Sequence, residues 1–471
     1  MIERDAQTKI FHPGMILLLG LLVLFGCQTD EPAATEIQPI EDGPVLLREN
    51  ISLRKIAETG NGSIRLALNP VDGNLYYLRP TEGVFQLVLS EPFPATKVAD
   101  NQDILEDGLL AGMAFGPDGA LYIVLNRRPS DTMTQAVVQK GILTESGEYI
   151  WENFVTTEPY PASNTNFDHL FNGIVVSPDN QWVFLNSGSR TDHGEVQDND
   201  GAFPETREVA ITSAIFRIPT SAVNLTLPND ESALREMEVI FADGTRNAYD
   251  LAFAPDGELF AGDNGPDADY PDELNWLRQG LHYGFPWRFG DQDNPQQFPD
   301  YDPEEDNRLS SDFVAVQGDT YQNDPDFPPP PTETFANPVV NLGPDAAQYR
   351  DDEGQAQDAA AGDETLSTFT PHRSPLGLEF VTDDEMPAYF RSNDDTLSAF
   401  ILSWGAAGGD LSDQGQDLLH LRLSRNSDNY EAATTQIARD FRRPIDAVLF
   451  GNRLYVLEWD GDGIIWELTF E

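Results

Sequence analysis

Residues 244–287 read GTRNAYDLAFAPDGELFAGDNGPDADYPDELNWLRQGLHYGFPW, and this stretch contains the pattern on which the fold prediction rests. A Pro-Asp-Gly turn at 255–257 is flanked by apolar, strand-forming residues at Leu251, Phe253, Leu259 and Phe260. Such residues on both sides of a short turn predict two β-strands joined as a hairpin, with Arg246-Asn247 opening the first strand.

The same strand–turn–strand pattern recurs along the chain. Copies occur at 64–78, 112–125, 173–185, 250–261 and 445–457, and a fainter one starts at Leu376 and continues into 397–404. Six such units with almost no amphipathic helix predict an all-β fold, a six-bladed β-propeller whose blades pack against their neighbours. Two stacked β-sandwich domains are the alternative, which the recurrent turn disfavours.

The segment 288–370 lacks the repeat and is rich in Asp, Pro, Gln and Ala. It is therefore predicted as a long insertion that runs over the surface of a propeller domain spanning 46–471.

Residues 244–287 also contain candidate functional groups. Gly-Asp-Asn-Gly-Pro at 262–266 is expected to bend the backbone so that its carbonyl groups can face a cation, and an acidic turn is expected at 272–275. An arginine, a tight Gly-Pro turn and clustered carboxylates so close together indicate the rim of an active site.

The chain has 471 residues and a formal net charge of −52. Nucleic acid and anionic membrane surfaces are therefore excluded as partners, because their phosphates would be repelled. Lysine is confined to Lys9, Lys55, Lys97 and Lys140. This acidic, lysine-poor composition indicates a halophilic protein, since salt screens the self-repulsion of the carboxylates. An acidic exported protein without such adaptation is the alternative.

The N-terminal 45 residues are predicted to direct export. An apolar run at 15–25 suits the core of a signal peptide and is too short to cross a bilayer. The tetrapeptide at 24–27, Leu-Phe-Gly-Cys, resembles a bacterial lipobox, which makes Cys27 the expected lipidation site of a signal segment spanning 1–27. Residues 28–45 are predicted as a flexible tether, so the protein is expected in the periplasm or on the cell surface. An ordinary secretory signal remains the alternative.

His169 directly follows Asp168 just before the third copy of the repeat. A carboxylate beside an imidazole can orient it as a general base. No phosphate-binding glycine loop, serine-hydrolase elbow or zinc-type Cys/His array is present. The abundance of oxygen ligands favours Ca²⁺ over transition metals.

Four motifs stand close together: Arg246-Asn247, Gly265-Pro266, 272–275 and the Gly-Pro spacing of 280–286. In combination they resemble the glucose/sorbosone dehydrogenase family. The best-known members of that family are six-bladed propellers that oxidise sugars with pyrroloquinoline quinone (PQQ). The resemblance runs from about residue 60 to the end and includes Asp168-His169, 372–377 and 443–446.

The resemblance implies a role for each matching residue. His169 would take the proton of a sugar hydroxyl while hydride passes to the quinone, with Asp168 and Arg246 assisting. The residues implied to contact the quinone are Arg246 and Asn247, on its carbonyl side, together with Glu106, His372 and Arg443. The carbonyl groups of Gly265 and Pro266 would hold the Ca²⁺ that polarises it, and a second Ca²⁺ would involve Glu273, Tyr283 and Asp293.

Three positions depart from the family pattern. Glu106 stands where quinone-using members have glutamine, no lysine follows Lys140, and Ile445 replaces one of two arginines. Because fewer cations face a tricarboxylate, its binding would be weakened. A PQQ- and Ca²⁺-dependent sugar dehydrogenase with an unidentified electron acceptor is therefore the first hypothesis. A catalytically altered propeller that binds carbohydrate or another surface ligand is the second, and a Ca²⁺-dependent lactonase-type hydrolase the third.

Overall fold

A computed structural model describes residues 43–471 except 106, 383 and 406–410. Two predicted residues, Cys27 and Glu106, lie outside the described residues. In the described part no helix is long and apolar enough to cross a membrane.

The strands form six principal sheets, each of which is one blade. A few short strands extend some blades, and two separate two-stranded sheets lie in the insertion. Two strands precede the first blade, β1 (Val45–Leu46) and β2 (Ile51–Glu58). Blade 1 consists of β3 (Arg65–Leu68), β4 (Leu75–Arg79), β5 (Gly83–Leu87) and β6 (Ala95–Asp100), followed by helix α1 (Asn101–Ile104). Blade 2 consists of β7 (Leu109–Phe115), β8 (Leu121–Ser130), β9 (Met133–Leu143) and β10 (Tyr149–Thr157), with β11 (Tyr160–Pro161) paired to β9.

Blade 3 consists of β12 (Phe171–Val176), β13 (Trp182–Ser187), β14 (Ala214–Pro219) and β16 (Ile240–Asp243). Between its last two strands lie β15 (Leu225–Leu227), which joins blade 2, and helix α2 (Glu231–Glu236). Blade 4 consists of β17 (Ala248–Phe253), β18 (Leu259–Asp263) and β19 (Glu273–Leu277).

The insertion then contributes β20 (Arg288–Phe289), β21 (Gln292–Asp293), a 3₁₀ turn (Pro295–Gln297), helix α3 (Val314–Gln317), β22 (Val340–Pro344), β23 (Gln348–Arg350) and β24 (Ala356–Asp358). Blade 5 consists of β25 (Pro375–Phe380), β26 (Thr396–Ser403), β27 (Asp417–Asn426) and β28 (Asn429–Arg439), with a 3₁₀ turn at Ala388–Phe390. Blade 6 consists of β29 (Pro444–Phe450), β30 (Arg453–Glu458) and β31 (Ile464–Phe470).

The ring is closed by a strand from the beginning of the domain. Strand β2 pairs antiparallel with β31, and Ile51 lies opposite Phe470, so it completes blade 6. The first strand of each blade lies at the centre, and together these inner strands enclose a cavity of about 240 Å³. Hydrophobic clusters fill the space between every pair of neighbouring blades. The predicted six-bladed propeller is confirmed, because every predicted repeat coincides with the two innermost strands of a blade.

Close contact between inner strands requires glycine at two positions. A Cβ atom on Gly112 would lie 2.0 Å from the carbonyl oxygen of Asn172, and one on Gly173 would lie 2.8 Å from that of Tyr249. Both glycines lie at bulges in their strands, where the ladder shifts by one residue. The bulges allow the blades to converge on the channel.

Side chains bridge the inner strands across the channel. Asp250 accepts a hydrogen bond from the Leu378 amide at 2.7 Å, and Asp446 accepts one from the Leu66 amide at 2.8 Å. Arg65 donates to the carbonyl oxygen of Tyr249 at 2.9 Å. These carboxylates therefore connect one blade to the next.

One local prediction was wrong. The acidic stretch 272–275 is not a turn on the rim, because Glu273–Leu277 forms the buried third strand of blade 4. Its carboxylates are shielded from solvent, and strand pairing with β18 satisfies the backbone.

Candidate active site

The predicted site residues collect at one end of the propeller because they precede inner strands. His169 lies two residues before β12, Arg246 two before β17, His372 three before β25 and Arg443 directly before β29. Each blade begins with its inner strand, so the segments that enter these strands meet at the same face. The turn at 264–267, which follows β18, reaches the same place.

His169 has a defined hydrogen-bonding state. Its Nδ1 atom lies 3.1 Å from Ser189 Oγ, and that hydroxyl donates its own hydrogen to the carbonyl oxygen of Thr191 at 2.7 Å. Nδ1 must therefore carry the proton and donate to Ser189, which leaves a lone pair on Nε2. Burial, reinforced by the positive charge of Arg246, lowers the pKa of His169 to about 3. Among the described residues Nε2 has no hydrogen-bond partner, so the half-buried ring is a neutral imidazole with one available acceptor.

The predicted pairing of Asp168 with His169 is wrong. The Asp168 carboxylate turns to the backbone and accepts a hydrogen bond from the Ser163 amide at 3.0 Å. Burial raises the pKa of Asp168 to about 6. Ser189 takes the orienting position, and the sequence offered only the polar run after β13 as a signal for it.

Arg246 is bound to a carboxylate that the sequence analysis missed. Its guanidinium donates to Asp192 Oδ1 at 2.6 Å and to the Asp192 carbonyl oxygen at 2.7 Å, and both residues are buried. Asp192 also lies 2.8 Å from His193 Nδ1. Burial alone would raise the pKa of Asp192, but the charge of Arg246 and the bond from His193 hold it well below its usual range. The neighbouring Asn247 is tied to Asn172 at 2.9 Å.

The turn at 264–267 is held from both sides by carboxylates. Gly265 donates its amide to Asp272 at 2.6 Å, and Asp267 donates its amide to Asp192 at 3.0 Å. Within the described residues, the carbonyl oxygens of Gly265 and Pro266 accept no hydrogen bond. Hard cations bind such oxygens, so these two carbonyl groups fit a Ca²⁺ ion.

The residues predicted for a second Ca²⁺ do not meet. Glu273 and Tyr283 border one small cavity, whereas Asp293 is exposed and lines a different one. Glu273 accepts from the Gly290 amide at 2.6 Å and from Asn275 Nδ2 at 2.8 Å. Burial, followed by the charge of Asp263, raises the pKa of Glu273 to about 8. In the described part of the chain, no group of three or more His, Cys, Asp or Glu residues is arranged to hold a metal ion.

His372 and Arg443 lie in different surroundings. His372 Nε2 lies 2.9 Å from Asp269 Oδ1, and this bond raises the pKa of His372 although burial alone would lower it. Arg443 places its guanidinium 5.2 Å from the centre of the Trp404 ring. Burial lowers the pKa of Arg443.

Residues 313–321, here called the strap, pack on the predicted site. Ala315 donates its amide to Asp267 at 2.9 Å, and the ring of Tyr321 stacks on His193 with centroids 3.7 Å apart. The ring of Phe313 lies 4.7 Å from that of His372. The predicted surface insertion thus places three buried side chains, Phe313, Ala315 and Tyr321, against the site, which nothing in its composition signalled.

Three arginines near the site are already paired with carboxylates, whereas Arg443 lies over the Trp404 ring. Arg246 is paired with Asp192, Arg350 with Asp269, and Arg373 with both Asp413 and Asp417. A tricarboxylate that used any of the three paired arginines would have to displace an existing ion pair.

Fold and site together define a six-bladed propeller with a histidine, an arginine and a carbonyl-lined turn at one end of its channel. Residues 93–311 match the family described as Glucose / Sorbosone dehydrogenase. This match confirms the predicted resemblance to the glucose/sorbosone dehydrogenase family over a little less than half of the chain.

The similar proteins are distant. Quinoprotein glucose dehydrogenase B of Acinetobacter calcoaceticus is 24% identical over 236 residues, which cover 45% of this chain and 46% of that protein. The chain thus spans about half the length of this curated relative. The apo form of the soluble aldose sugar dehydrogenase of Escherichia coli is 14% identical with a TM-score of 0.55, covering 89% of this chain and 100% of that one. The holo form of the pyranose dehydrogenase PQQ domain from Coprinopsis cinerea is 13% identical with a TM-score of 0.55, covering 92% and 98%.

Proposed function

We propose that this protein oxidises a hydroxyl group of a sugar and that His169 accepts the hydroxyl proton. The observation that carries the proposal is the tautomer of His169. Its Nδ1–H group donates to Ser189, so Nε2 presents a lone pair in a half-buried position. A neutral imidazole is the state that a general base requires before it takes a proton. The sugar substrate follows from the family.

Two positive groups would stabilise the alkoxide that forms as the proton leaves. The positive charge of Arg246 acts on His169, opposed in part by its partner Asp192, and the same charge would act on an oxygen atom bound at Nε2. A Ca²⁺ ion on the carbonyl oxygens of Gly265 and Pro266 would supply the second charge and act as a Lewis acid. Asp192 fixes the direction of the Arg246 guanidinium through two hydrogen bonds.

The hydride acceptor that suits this site is a quinone with fewer carboxylates than PQQ. Arg246, Arg350 and Arg373 already neutralise Asp192, Asp269, Asp413 and Asp417, which leaves Arg443 to face one negative charge of a ligand. An uncharged or singly charged quinone needs no free cation, whereas each unpaired carboxylate in a site of low polarity is costly.

The test is dye-linked sugar oxidation by the purified protein with Ca²⁺, using a panel of aldoses and two acceptors, PQQ and a quinone without carboxylates. We expect turnover with the quinone that lacks carboxylates. His169→Gln should lower the rate by a factor of about 10²–10⁴. His420→Gln is the matched control, because that histidine is buried in blade 5 and bonded to Ser398. Equal rates in wild type and His169→Gln would refute the role of His169.

A second candidate is a propeller that binds a sugar without oxidising it. The strap supports this alternative, because it packs directly on Asp267, His193 and His372. Sugar-dependent stabilisation of the fold without turnover on any acceptor would favour it, since a ligand that binds only the native state raises its stability.

We also propose that the protein is exported and anchored by a lipid on Cys27. The lipobox-like tetrapeptide and the polar segment after it support this location.

A further inference from the structure

Three side chains of blades 5 and 6 meet at the end of the propeller that carries the candidate active site. Arg443 stands directly before β29, Trp459 directly after β30, and Trp404 directly after β26. The segments that enter inner strands and those that leave the second strands lie at the same end of the channel as His169. The Arg443 guanidinium lies 5.2 Å from the centre of the Trp404 ring, and the centroids of the two indole rings are 5.4 Å apart. All three residues are half-buried, so each leaves part of its surface to solvent.

Arg443 lacks a counter-charge in a chain that carries 80 acidic residues. Among the described residues its guanidinium forms no ion pair and donates no hydrogen bond, whereas the three other arginines near the site each hold a carboxylate. The charge of Asp460 opposes the effect of burial on the pKa of Arg443, but Asp460 is exposed and its carboxylate accepts hydrogen bonds from Asn61 and Gly461. A half-buried guanidinium of this kind favours an anionic ligand, because the ligand supplies the missing partner.

The three side chains offer hydrogen-bond donors and no acceptors, since arginine and tryptophan side chains carry N–H groups only. Within the described part of the chain, the indole N–H groups of Trp404 and Trp459 have no hydrogen-bond partner. The two rings pack on the hydrophobic cluster between blades 6 and 1 and leave apolar surface above it. A ligand that fits both properties carries an oxyanion beside an apolar ring face.

We propose that Arg443, Trp404 and Trp459 bind the carboxylate of an acidic sugar, which makes the substrate a uronate. The inference rests on the proposed sugar oxidation at His169. It assigns the guanidinium to the sugar, whereas the family resemblance implies a contact with the quinone.

The chemistry of the three side chains matches such a ligand. The planar fork of a guanidinium pairs with both oxygen atoms of a carboxylate, and the C–H face of a sugar ring can pack on an indole ring. Blades 3 and 6 lie opposite each other in a ring of six, so His169 and Arg443 face the channel from opposite sides. The carboxylate and the oxidised hydroxyl group therefore belong to different parts of the sugar.

The experiment is calorimetric titration of the full chain with glucuronate and with glucose, which lacks the carboxylate, in about 0.15 M salt and without an acceptor. We expect glucuronate to bind at least about tenfold more tightly than glucose. Arg443→Gln should weaken glucuronate binding at least about tenfold and change glucose binding less than about twofold, because only glucuronate loses charged hydrogen bonds. Arg443→Lys should recover only part of the affinity, since lysine keeps the charge but not the planar fork.

Arg425→Gln is the matched control. Arg425 also places its guanidinium near a tryptophan, 4.6 Å from the centre of the Trp276 ring, but it lies near the end of β27, at the opposite end of the propeller. The variant removes the same charge, and we expect it to change glucuronate affinity less than about twofold. Equal weakening in Arg425→Gln and Arg443→Gln would show a general effect of charge and would overturn the proposal, as would equal affinity of the wild type for the two sugars.

A titration with PQQ separates the sugar from the acceptor as the source of the carboxylate. If Arg443→Gln loses PQQ binding while its glucuronate affinity is unchanged, the guanidinium serves the acceptor and the proposal is overturned. Because these titrations need no turnover, their result is distinct from that of the oxidation assay. Glucuronate binding that depends on Arg443 but leads to no oxidation would support the acidic-sugar site and count against the proposed dehydrogenase.

Discussion

Replacing Asp192 by asparagine tests the centre of the candidate site. The substitution keeps the size of the side chain but removes the negative charge that faces Arg246 at 2.6 Å. Both side chains are at least 94% buried, so water cannot replace the lost charge. Removing one partner of such a buried pair costs about 3–5 kcal/mol, because the remaining ion stays buried without a counter-charge. We therefore expect Asp192→Asn to lose about 3–5 kcal/mol of its free energy of unfolding.

The assay is urea unfolding followed by tryptophan fluorescence, with Glu231→Gln as the control. Glu231 pairs with Arg235 at 2.9 Å, but the two side chains are 65% and 53% exposed. Exposed pairs contribute about 0.2–1 kcal/mol, so the control should remain close to wild type. The double variant Asp192→Asn/Arg246→Gln should recover part of the loss, because it removes the unpaired cation.

A loss of less than about 1 kcal/mol in Asp192→Asn, equal to that of the control, would refute this reasoning. Such a small loss would mean that Arg246 binds another acceptor with little change in the free energy of unfolding. Arg246 would then be available to a ligand, and PQQ would find one more cation in the site.

Three other predictions concern stability and one concerns location. The melting temperature should rise between about 0.01 M and 1 M salt, as the Debye length falls from about 30 to 3 Å; a flat or falling dependence would contradict the halophilic interpretation. Tyr321→Ala should lower the free energy of unfolding in urea by about 3–5 kcal/mol, because it removes a ring stacked on His193. The same variant should show faster hydrogen exchange in the strap. Unchanged exchange would show that the ring stack does not hold the strap in place. Burial raises the pKa of Asp446 to about 8. The protonated carboxyl group therefore contributes its full stability below about pH 4, and this stability is lost as the pH rises through 8. Asp446→Asn should flatten the decline of stability between these pH values, and an unaltered pH profile in the variant would contradict this prediction. Cys27→Ser should release the protein from the membrane fraction, and unchanged association would count against a lipid anchor.

The propeller could be predicted because its blades repeat a local signal. A strand, a tight turn and a second strand are encoded by neighbouring residues, and their recurrence reveals the number of blades. The stretch 272–275 was misjudged because its composition is acidic, whereas burial in β19 depends on packing against blade 5 and the insertion. Local composition does not report such a contact.

The sequence identified several residues of the candidate site but not the hydrogen bonds between them. Motif matching found His169, Arg246 and Gly265, which the fold brings to one end of the channel. It missed Ser189 and Asp192, because the bonds they form depend on how the loop after β13 folds back over the site. The pairing of Asp168 with His169 failed for the same reason, since adjacency in sequence does not fix which way two side chains point.

Charge composition and cofactor choice are linked in this molecule. The chain carries 80 acidic and 28 basic residues. When carboxylates are so numerous, a buried arginine is readily matched by a carboxylate of the protein itself, as Arg246, Arg350 and Arg373 show. A tricarboxylate cofactor has to compete with those internal carboxylates for the arginines. The internal carboxylates are already held at a short distance, whereas the cofactor loses translational freedom when it binds. The composition that would suit a saline environment therefore reduces the number of cations available to PQQ. An acidic propeller of this kind is expected either to use a less charged acceptor or to keep its sugar site without redox chemistry, and the two-acceptor assay separates these outcomes.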